Sequence, residues 1–371
     1  MLVLDSHCDT PSQIHRLRDL SMDNSHSQVD FPKLKRGGVD ASFFALYTPA
    51  SMSTESALQY SLQLLSEVYD AVAAVSDSAA MAYSPEEVLE CKSMGRFAVC
   101  IGMENGAPIG NSTALLRQFY RMGVRYMTLC HSRDNLICDS CAQGTTWHGV
   151  SPFGRKVISE MNRIGMMIDV SHISDEAFYD VIRYSEAPVV ATHSCCRALA
   201  GHPRNMTDGM LSAIASAGGV IQINFFPVFL DDRFASALRR SGLEEKGDVV
   251  EAEFIADPGD VGKRQAWYSV LDSLAALDRP SYTRIADHID HAVQIAGIDH
   301  VGLGSDFDGI AVTPEGMEDA GCFSRIFDEL QRRGYSRSDI EKIAGGNFLR
   351  VWACVQSLAV DSLEPAAIWH K

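Results

Sequence analysis

Along the chain, short runs rich in apolar and β-branched residues alternate with stretches of helical spacing. Eight runs stand out: Leu2–Leu4, Ala41–Tyr47, Phe97–Met103, Arg125–Leu129, Met166–Val170, Pro188–Thr192, Gly219–Phe225 and Val301–Gly304. A run that is apolar on both faces suits a strand buried on both sides, as in an all-parallel sheet. Between the runs the spacing turns helical; Ile285, Ile289, Ala292, Val293 and Ala296 fall on one helix face. Ser338 and Glu341 have the spacing of a capping box that opens a short helix, with Gly345-Gly346 placed to end it. Eight strands alternating with helices predict an α/β fold, a single (β/α)8 TIM-type barrel taking up residues 1–371. Residues 227–282 are too long for one barrel connection and carry mixed charge with helical patches. They predict a helical insertion after strand 7, near the barrel mouth.

Composition narrows the class. The 371 residues are 46% apolar and 22% charged, which describes a soluble globular chain with a large core. No apolar run approaches the ~20 residues a bilayer demands. Lys and Arg number 32 against 48 Asp and Glu, a net charge of −16, which argues against a nucleic-acid backbone or an anionic membrane as partner. The start, Met-Leu-Val-Leu-Asp-Ser-His, has no basic segment leading an apolar one, and the end, Ala-Ile-Trp-His-Lys, is no lipid-anchor signal. The expected location is cytoplasmic. Ten cysteines in a chain of this length, some inside apolar runs as Cys100 and Cys130 are, suit reduced, buried thiols. Cys138-Asp-Ser-Cys141 has the spacing of half a zinc or redox site, but no second pair completes it.

The residues at the ends of these runs turn the picture from fold to chemistry. The first run leads into Asp5-Ser-His7-Cys-Asp9, the third into Glu104-Asn-Gly106 and the fourth into Cys130-His131. The fifth leads into Asp169-Val-Ser-His172, the sixth into Thr192-His193 and the eighth into Ser305-Asp306-Phe-Asp308. One His or Asp at a strand end is commonly a turn former. Six strands delivering such groups to the face where barrel enzymes keep their active sites form a constellation. Imidazole and carboxylate bind borderline cations such as Zn2+, and a catalytic site leaves one position open for water. His7 and Asp9, two apart on an extended chain, point the same way and reach one ion. His172 and His193, from adjacent strands, share a second ion, and the two oxygens of Glu104 bridge the pair. Water held between two such ions ionises near neutral pH, and Asp306 is placed to take its proton and pass it to a leaving amine.

These residues also carry a resemblance. Asp5-x-His7-x-Asp9-Thr, Gly102-x-Glu104-Asn-Gly106, the tract from His288 to Gly309, and Gly345-Gly-Asn-Phe-Leu-Arg350 resemble the membrane (renal-type) dipeptidases of peptidase family M19, in the amidohydrolase superfamily, and its bacterial members in particular. The matching segments spread from Asp5 to Arg350, nearly the whole chain. The resemblance implies a zinc-dependent hydrolase of dipeptides that tolerates a C-terminal D-residue and holds two Zn2+ per chain. His7, Asp9 and Glu104 would hold one zinc, and Glu104, His172 and His193 the other. His131 would steady the tetrahedral oxyanion, Arg204 in His202-Pro-Arg-Asn205 would grip the substrate's C-terminal carboxylate, and Asp306 would be the acid/base group. A homodimer is implied as well. The anchored mammalian members differ in carrying export and anchor signals that these termini do not match.

Other residues read as structural. His288 and His291 stand on a helix outside the barrel and suit packing or surface roles. Asp306-Phe-Asp308-Gly309 lacks the spacing of a calcium loop, which leaves Asp308 as a turn former or a support for its neighbours. Asp5 either tunes His7 or closes the strand, and His148 beside Trp147 reads as a surface residue. Asn224-Phe-Phe-Pro227 and the insertion after it are where substrate-side features individual to this chain are expected. Two other functions use the same ligands. One is a binuclear-metal hydrolase of lactones, cyclic amides or β-lactams, because activated water attacks any strained carbonyl. The other is a non-catalytic metal-binding protein, against which the complete ligand set argues.

Overall fold

The computed structural model describes residues 1–142 and 145–360. Eight parallel strands form the barrel: β1 (Leu4–Cys8), β2 (Ala41–Tyr47), β3 (Phe97–Glu104), β4 (Val124–Thr128), β5 (Met167–Asp169), β6 (Val190–Ser194), β7 (Val220–Ile223) and β8 (Val301–Leu303). They pair in chain order. The circle closes where Cys8 bridges Phe307 and Asp9 N–H donates to Phe307 O at 2.8 Å. A further strand, Ala79–Met81, pairs with β3 off this path. Three residues are too few to show a period, so it is invisible to patterning.

Several strands run further toward the mouth than their apolar runs. The first is Leu4–Cys8 rather than Leu2–Leu4, so His7 lies within β1, and Glu104 and His193 likewise lie within β3 and β6. The reason is burial: every residue of these three strands is buried, polar ones included, so the pleat continues where hydrophobicity stops. Asp9 departs from the extended-chain expectation. It lies past β1, with φ −93° and ψ 25°, as the residue that caps helix Thr10–His15.

Helix starts follow local chemistry: Asp30, Ser53, Ser84, Ser151, Ser174 and Thr207 each accept a backbone N–H from the first turn of the helix they open. The capping box near the C-terminus is Ser336 with Asp339, not Ser338 with Glu341. Ser-x-x-acid occurs twice in Ser336-Arg-Ser-Asp-Ile-Glu341, and the extended backbone at Ser336 decides between them. Gly345-Gly346 does not end the helical path either. The chain turns there and continues into helix Asn347–Ser357, with bare Gly345 against Leu2 and Leu4.

That last helix plugs the barrel floor. Trp352 and Phe348, both at most 1% exposed, pack edge-on to Phe43 of β2 with ring centroids 5.1 and 5.3 Å away. Leu4, Cys100, Tyr126, Met167, Val190 and Val220 complete this inner core. Between β7 and β8 the chain forms helices Pro227–Leu230, Asp232–Ser241, Leu243–Ala256 and Val261–Ala275, whose Phe234, Leu238, Phe254, Trp267, Val270 and Leu274 make a core of their own. Helix Thr283–Ala296 then lays Ile285, Ile289 and Ala292 on the barrel and buries His288, whose Nδ1 accepts from Cys196 N–H at 3.0 Å. Among the described residues, no helix is long and apolar enough to cross a membrane.

Trp352→Ala leaves a cavity at the floor and removes the largest inner-core ring. It is expected to cost about 3–5 kcal/mol. A urea melt of the variant beside the parent measures this, and a shift under about 1 kcal/mol would show that the floor closes without the indole.

Candidate metal centre

At the C-terminal mouth the strand ends converge on Glu104, the last residue of β3 and 3% exposed. Its Oε2 lies 3.5 Å from His7 Nε2, and the same nitrogen lies 3.5 Å from Asp9 Oδ2. Its Oε1 lies 3.0 Å from His172 Nε2 and 3.4 Å from His193 Nε2. The two oxygens of one carboxylate therefore face two sets of nitrogen and oxygen atoms. Asp306 Oδ1 stands 4.0 Å from His7 Nε2, and His131 Nε2 stands 3.7 Å from Glu104 Oε1. Three overlapping groups have ligand atoms within 4.8 Å of one another: His7–Glu104–His193, Glu104–His131–His172 and His7–Asp9–Asp306. Arg204, 9% exposed, borders the same cleft; its Nη2 donates to His193 O at 3.0 Å, while Nε is buried without an acceptor.

Supporting hydrogen bonds fix the imidazoles. Thr192 Oγ1 donates to Asp169 Oδ2 at 2.7 Å, so it can only accept at its 2.8 Å contact with His193 Nδ1. The proton then sits on Nδ1 and Nε2 keeps its lone pair toward the centre. His7 is set by Tyr126, whose Oη lies 2.7 Å from Nδ1. Tyr126 fits because residue 102, opposite it on β3, is glycine; a Cβ there would overlap the phenol ring. Asn224 Nδ2 donates to Asp306 Oδ2 at 2.8 Å. His172 and Asp306 both hold left-handed backbone, φ 71° and 62°, a conformation that costs roughly 1–2 kcal/mol outside glycine. The strand ends impose it: Cys141 N–H donates to His172 O at 2.8 Å and Asp306 N–H to His7 O at 3.0 Å.

The donor set fits cations. Burial alone would hold His7 neutral, yet Glu104 and Asp9 carry its pKa well above the ordinary value, marking a place that wants positive charge. Burial, with Glu104 beside it, pushes Asp9 up to about 6, and burial brings Asp306 to about 6. His172 and His193 are driven the other way by burial, with Arg204 adding to it at His172 and His7 at His193, so both stay neutral as ligands must. Their Nε2 atoms nevertheless face each other at 2.8 Å, and His7 Nε2 and Asp9 Oδ1 are buried without hydrogen-bond partners. Neutral imidazoles nose to nose against a shared carboxylate oxygen, with orphaned atoms beside them, are what metal ions relieve.

The candidate ligands His7, Asp9, Glu104, His172 and His193, together with His131, Arg204 and Asp306, all lie at this one mouth. Asp5 does not touch the His7 ring; it accepts from Ser305 N–H at 2.8 Å and from Ser305 Oγ. Asp308 accepts from Arg18, Thr10 and Gln28, and His148 is exposed. Cys138 and Cys141 belong to no metal-holding group among the described residues. The supporting roles of Tyr126, Gly102 and Thr192 give no signal in the sequence, because they follow only from the register, even though Gly102 opens a recognisable motif.

A parallel barrel whose mouth gathers imidazoles around a shared carboxylate defines a metal-dependent hydrolase. The family profile described as membrane dipeptidase (peptidase family M19) matches residues 1–365, and the chain belongs to this family as a metallodipeptidase. The dipeptidase verJ of Clonostachys rogersoniana is 31% identical over 365 residues, 95% of this chain and 82% of that one. The crystal structure of the probable dipeptidase PvdM from Pseudomonas aeruginosa matches with a TM-score of 0.82 at 28% identity, over 97% of this chain and 96% of that one. A metallopeptidase from Rhodobacter sphaeroides, solved with a phosphinate mimic of L-Ala-D-Ala, shares the fold with a TM-score of 0.79 at 24% identity, over 96% and 99%.

Tyr126→Phe removes the partner of His7 Nδ1 and keeps the ring. Metal affinity at the His7 side is expected to fall about 10–100-fold with the fold intact. Competition against a chromophoric chelator measures it, and unchanged affinity would show that packing alone orients His7.

Proposed function

We propose that the chain is a two-zinc dipeptidase in which His7, Asp9 and Glu104 hold one ion and Glu104, His172 and His193 the other. The observation that carries this reading is the split of Glu104, one oxygen toward His7 and one toward His172 and His193. When bound, the ions would polarise the scissile carbonyl and supply the attacking water as hydroxide. His131, burial and Arg204 lowering its pKa to about 4, is neutral at pH 7 and donates an N–H to the oxyanion. Asp306, held by Asn224, takes a proton at Oδ1 and returns it to the leaving amine. Arg204 presents the planar fork that suits a C-terminal carboxylate, and its unpartnered Nε supports that role.

The open mouth, with Arg204 on the carboxylate and nothing in the ligand set that chooses a hand at the second residue, supports tolerance of a C-terminal D-residue. A cytoplasmic setting is supported by ten cysteines that are all free thiols. A homodimer rests on the family resemblance alone.

The test is hydrolysis of L-Ala-D-Ala and L-Ala-L-Ala by metal-analysed protein, before and after chelation and zinc return. Chelation is expected to abolish cleavage and zinc to restore it, with close to two metals per chain. Two bound metals without cleavage would move the reading to lactones and cyclic amides, and no bound metal would end it. Two variants separate the roles. Asp306→Asn is expected to lose kcat by about 10²–10⁴-fold while metal stays bound, and Arg204→Ala to raise KM with a smaller effect on kcat. Unchanged kinetics in either variant removes that residue from its role.

A further inference from the structure

The cleft over the metal centre has a volume of about 470 Å³. Adjoining it is a second cavity of about 290 Å³, between the segment after β1 and the helices of the β7–β8 connection. The two share Arg16, Phe226, Glu251, Asp308, Gly309 and Ile310. We propose that this second cavity receives the side chain of the substrate's N-terminal residue and selects a large aromatic one. The proposal rests on the dipeptidase reading above and names the substrate class within it.

Three observations carry it. First, the two cavities meet beside the reacting centre. Gly309 stands three residues past Asp306, and its bare backbone lies so close to Asp9 that a Cβ would overlap that carboxylate. Beside it, Arg16 Nη1 meets Glu251 Oε1 at 2.8 Å, an ion pair that reaches from the barrel to the β7–β8 helices and faces both cavities. Second, the inner wall is aromatic. Tyr268 and His26 stack with centroids 4.1 Å apart and planes 8° from parallel, and Trp267 and Phe254 back them from the core of those helices. The charges at this junction are already matched, Arg16 with Glu251 and Arg18 with Asp308 at 2.6 Å, while Glu244 and Asp248 stand on the exposed rim. A guest at the inner end meets these ring faces, with Arg264, Asn24, Gln13 and Gln28 also lining the cavity.

Third, direction favours this end of the substrate. Arg204 lies on the β6 side of the cleft, whereas Ser12, Arg16 and Tyr47 line it from the β1–β2 side. A dipeptide with its carboxylate on Arg204 and its peptide bond over Glu104 sends its N-terminal residue away from Arg204, toward the shared wall.

The experiment uses zinc-loaded protein and dipeptides with C-terminal glycine, so that stereochemistry at the second position plays no part. The kcat/KM for L-Phe-Gly and L-Trp-Gly is expected to exceed that for L-Ala-Gly by about ten-fold or more. Gly247→Leu fills the cavity from a position where a Cβ makes only ordinary contacts with Val270 and Trp267, and Tyr268→Ala strips the aromatic wall. Both variants are expected to bring the Phe-to-Ala ratio toward one while L-Ala-Gly cleavage stays within about two-fold. Cleavage of all three dipeptides at similar rates by the parent, or a ratio that neither variant moves, would overturn the proposal. Calorimetric binding of free L-phenylalanine, lost in both variants, reports the cavity independently of turnover. Intact binding with no dipeptide cleaved supports the cavity and overturns the dipeptidase reading instead.

Discussion

At the end of β5 the carboxylate of Asp169, fully buried, accepts four hydrogen bonds: Ser171 N–H at 3.0 Å and Thr192 N–H at 2.9 Å on one oxygen, Thr128 Oγ1 at 2.5 Å and Thr192 Oγ1 at 2.7 Å on the other. A buried carboxylate without donors costs several kcal/mol, and one so fully satisfied locks whatever supplies them. Here the donors are the ends of β4, β5 and β6, the strands that lead to His131, His172 and His193. Asp5 does the same on the other side, joining β1 to the exit of β8 through Ser305 and so fixing His7 against Asp306. The geometry of the centre depends on these two acids. They hold strained residues such as His172 and Asp306 in left-handed backbone that a freer loop would relax.

The same mouth is electrostatically unfinished as protein alone. Asp9, Glu104 and Asp306 crowd one nitrogen of His7, and burial raises the carboxyls of Asp9 and Asp306. Arg204, the guanidinium that borders the cleft beside them, is held on backbone and hydroxyl oxygens rather than by a carboxylate, and its charge offsets burial at Asp306 only in part. Bound metal ions would reverse that balance. They would also give the facing nitrogens of His172 and His193 a shared reason to be 2.8 Å apart. The rigid second layer makes the cost of assembling this cluster part of folding, not part of binding.

How much of this is legible in the sequence depends on how local each signal is. Strand and helix alternation is local, so eight barrel strands can be counted from apolar runs such as Ala41–Tyr47, whose bounds the structure reproduces. Strand ends are less legible, because at β1 and β6 the chain stays extended through residues that are polar yet buried. The ligand-type residues are legible because chemistry concentrates them just where hydrophobicity stops. Their supports are not: that Gly102 makes room for Tyr126 depends on the register between β3 and β4, which no single-strand pattern contains. The capping box slips for a related reason, two equivalent spacings in six residues and only backbone geometry to choose between them.

The division between barrel and β7–β8 helices bears on how one chemistry serves different substrates. The candidate site residues sit at strand ends locked by Asp5 and Asp169, where a displacement of one side chain disturbs its neighbours. The helices from Asp232 to Ala275 pack largely through their own cluster around Phe254, Trp267 and Leu274, and they meet the barrel at a few points, among them Phe226 and the Arg16–Glu251 pair. Substitutions in that cluster can reshape the wall they present to the cleft without passing strain to the candidate metal ligands. A fold match across 97% of the chain at only 28% identity is the pattern such a separation permits. The mouth is fixed by polar hydrogen bonds that admit few alternatives, and the walls by apolar packing that admits many.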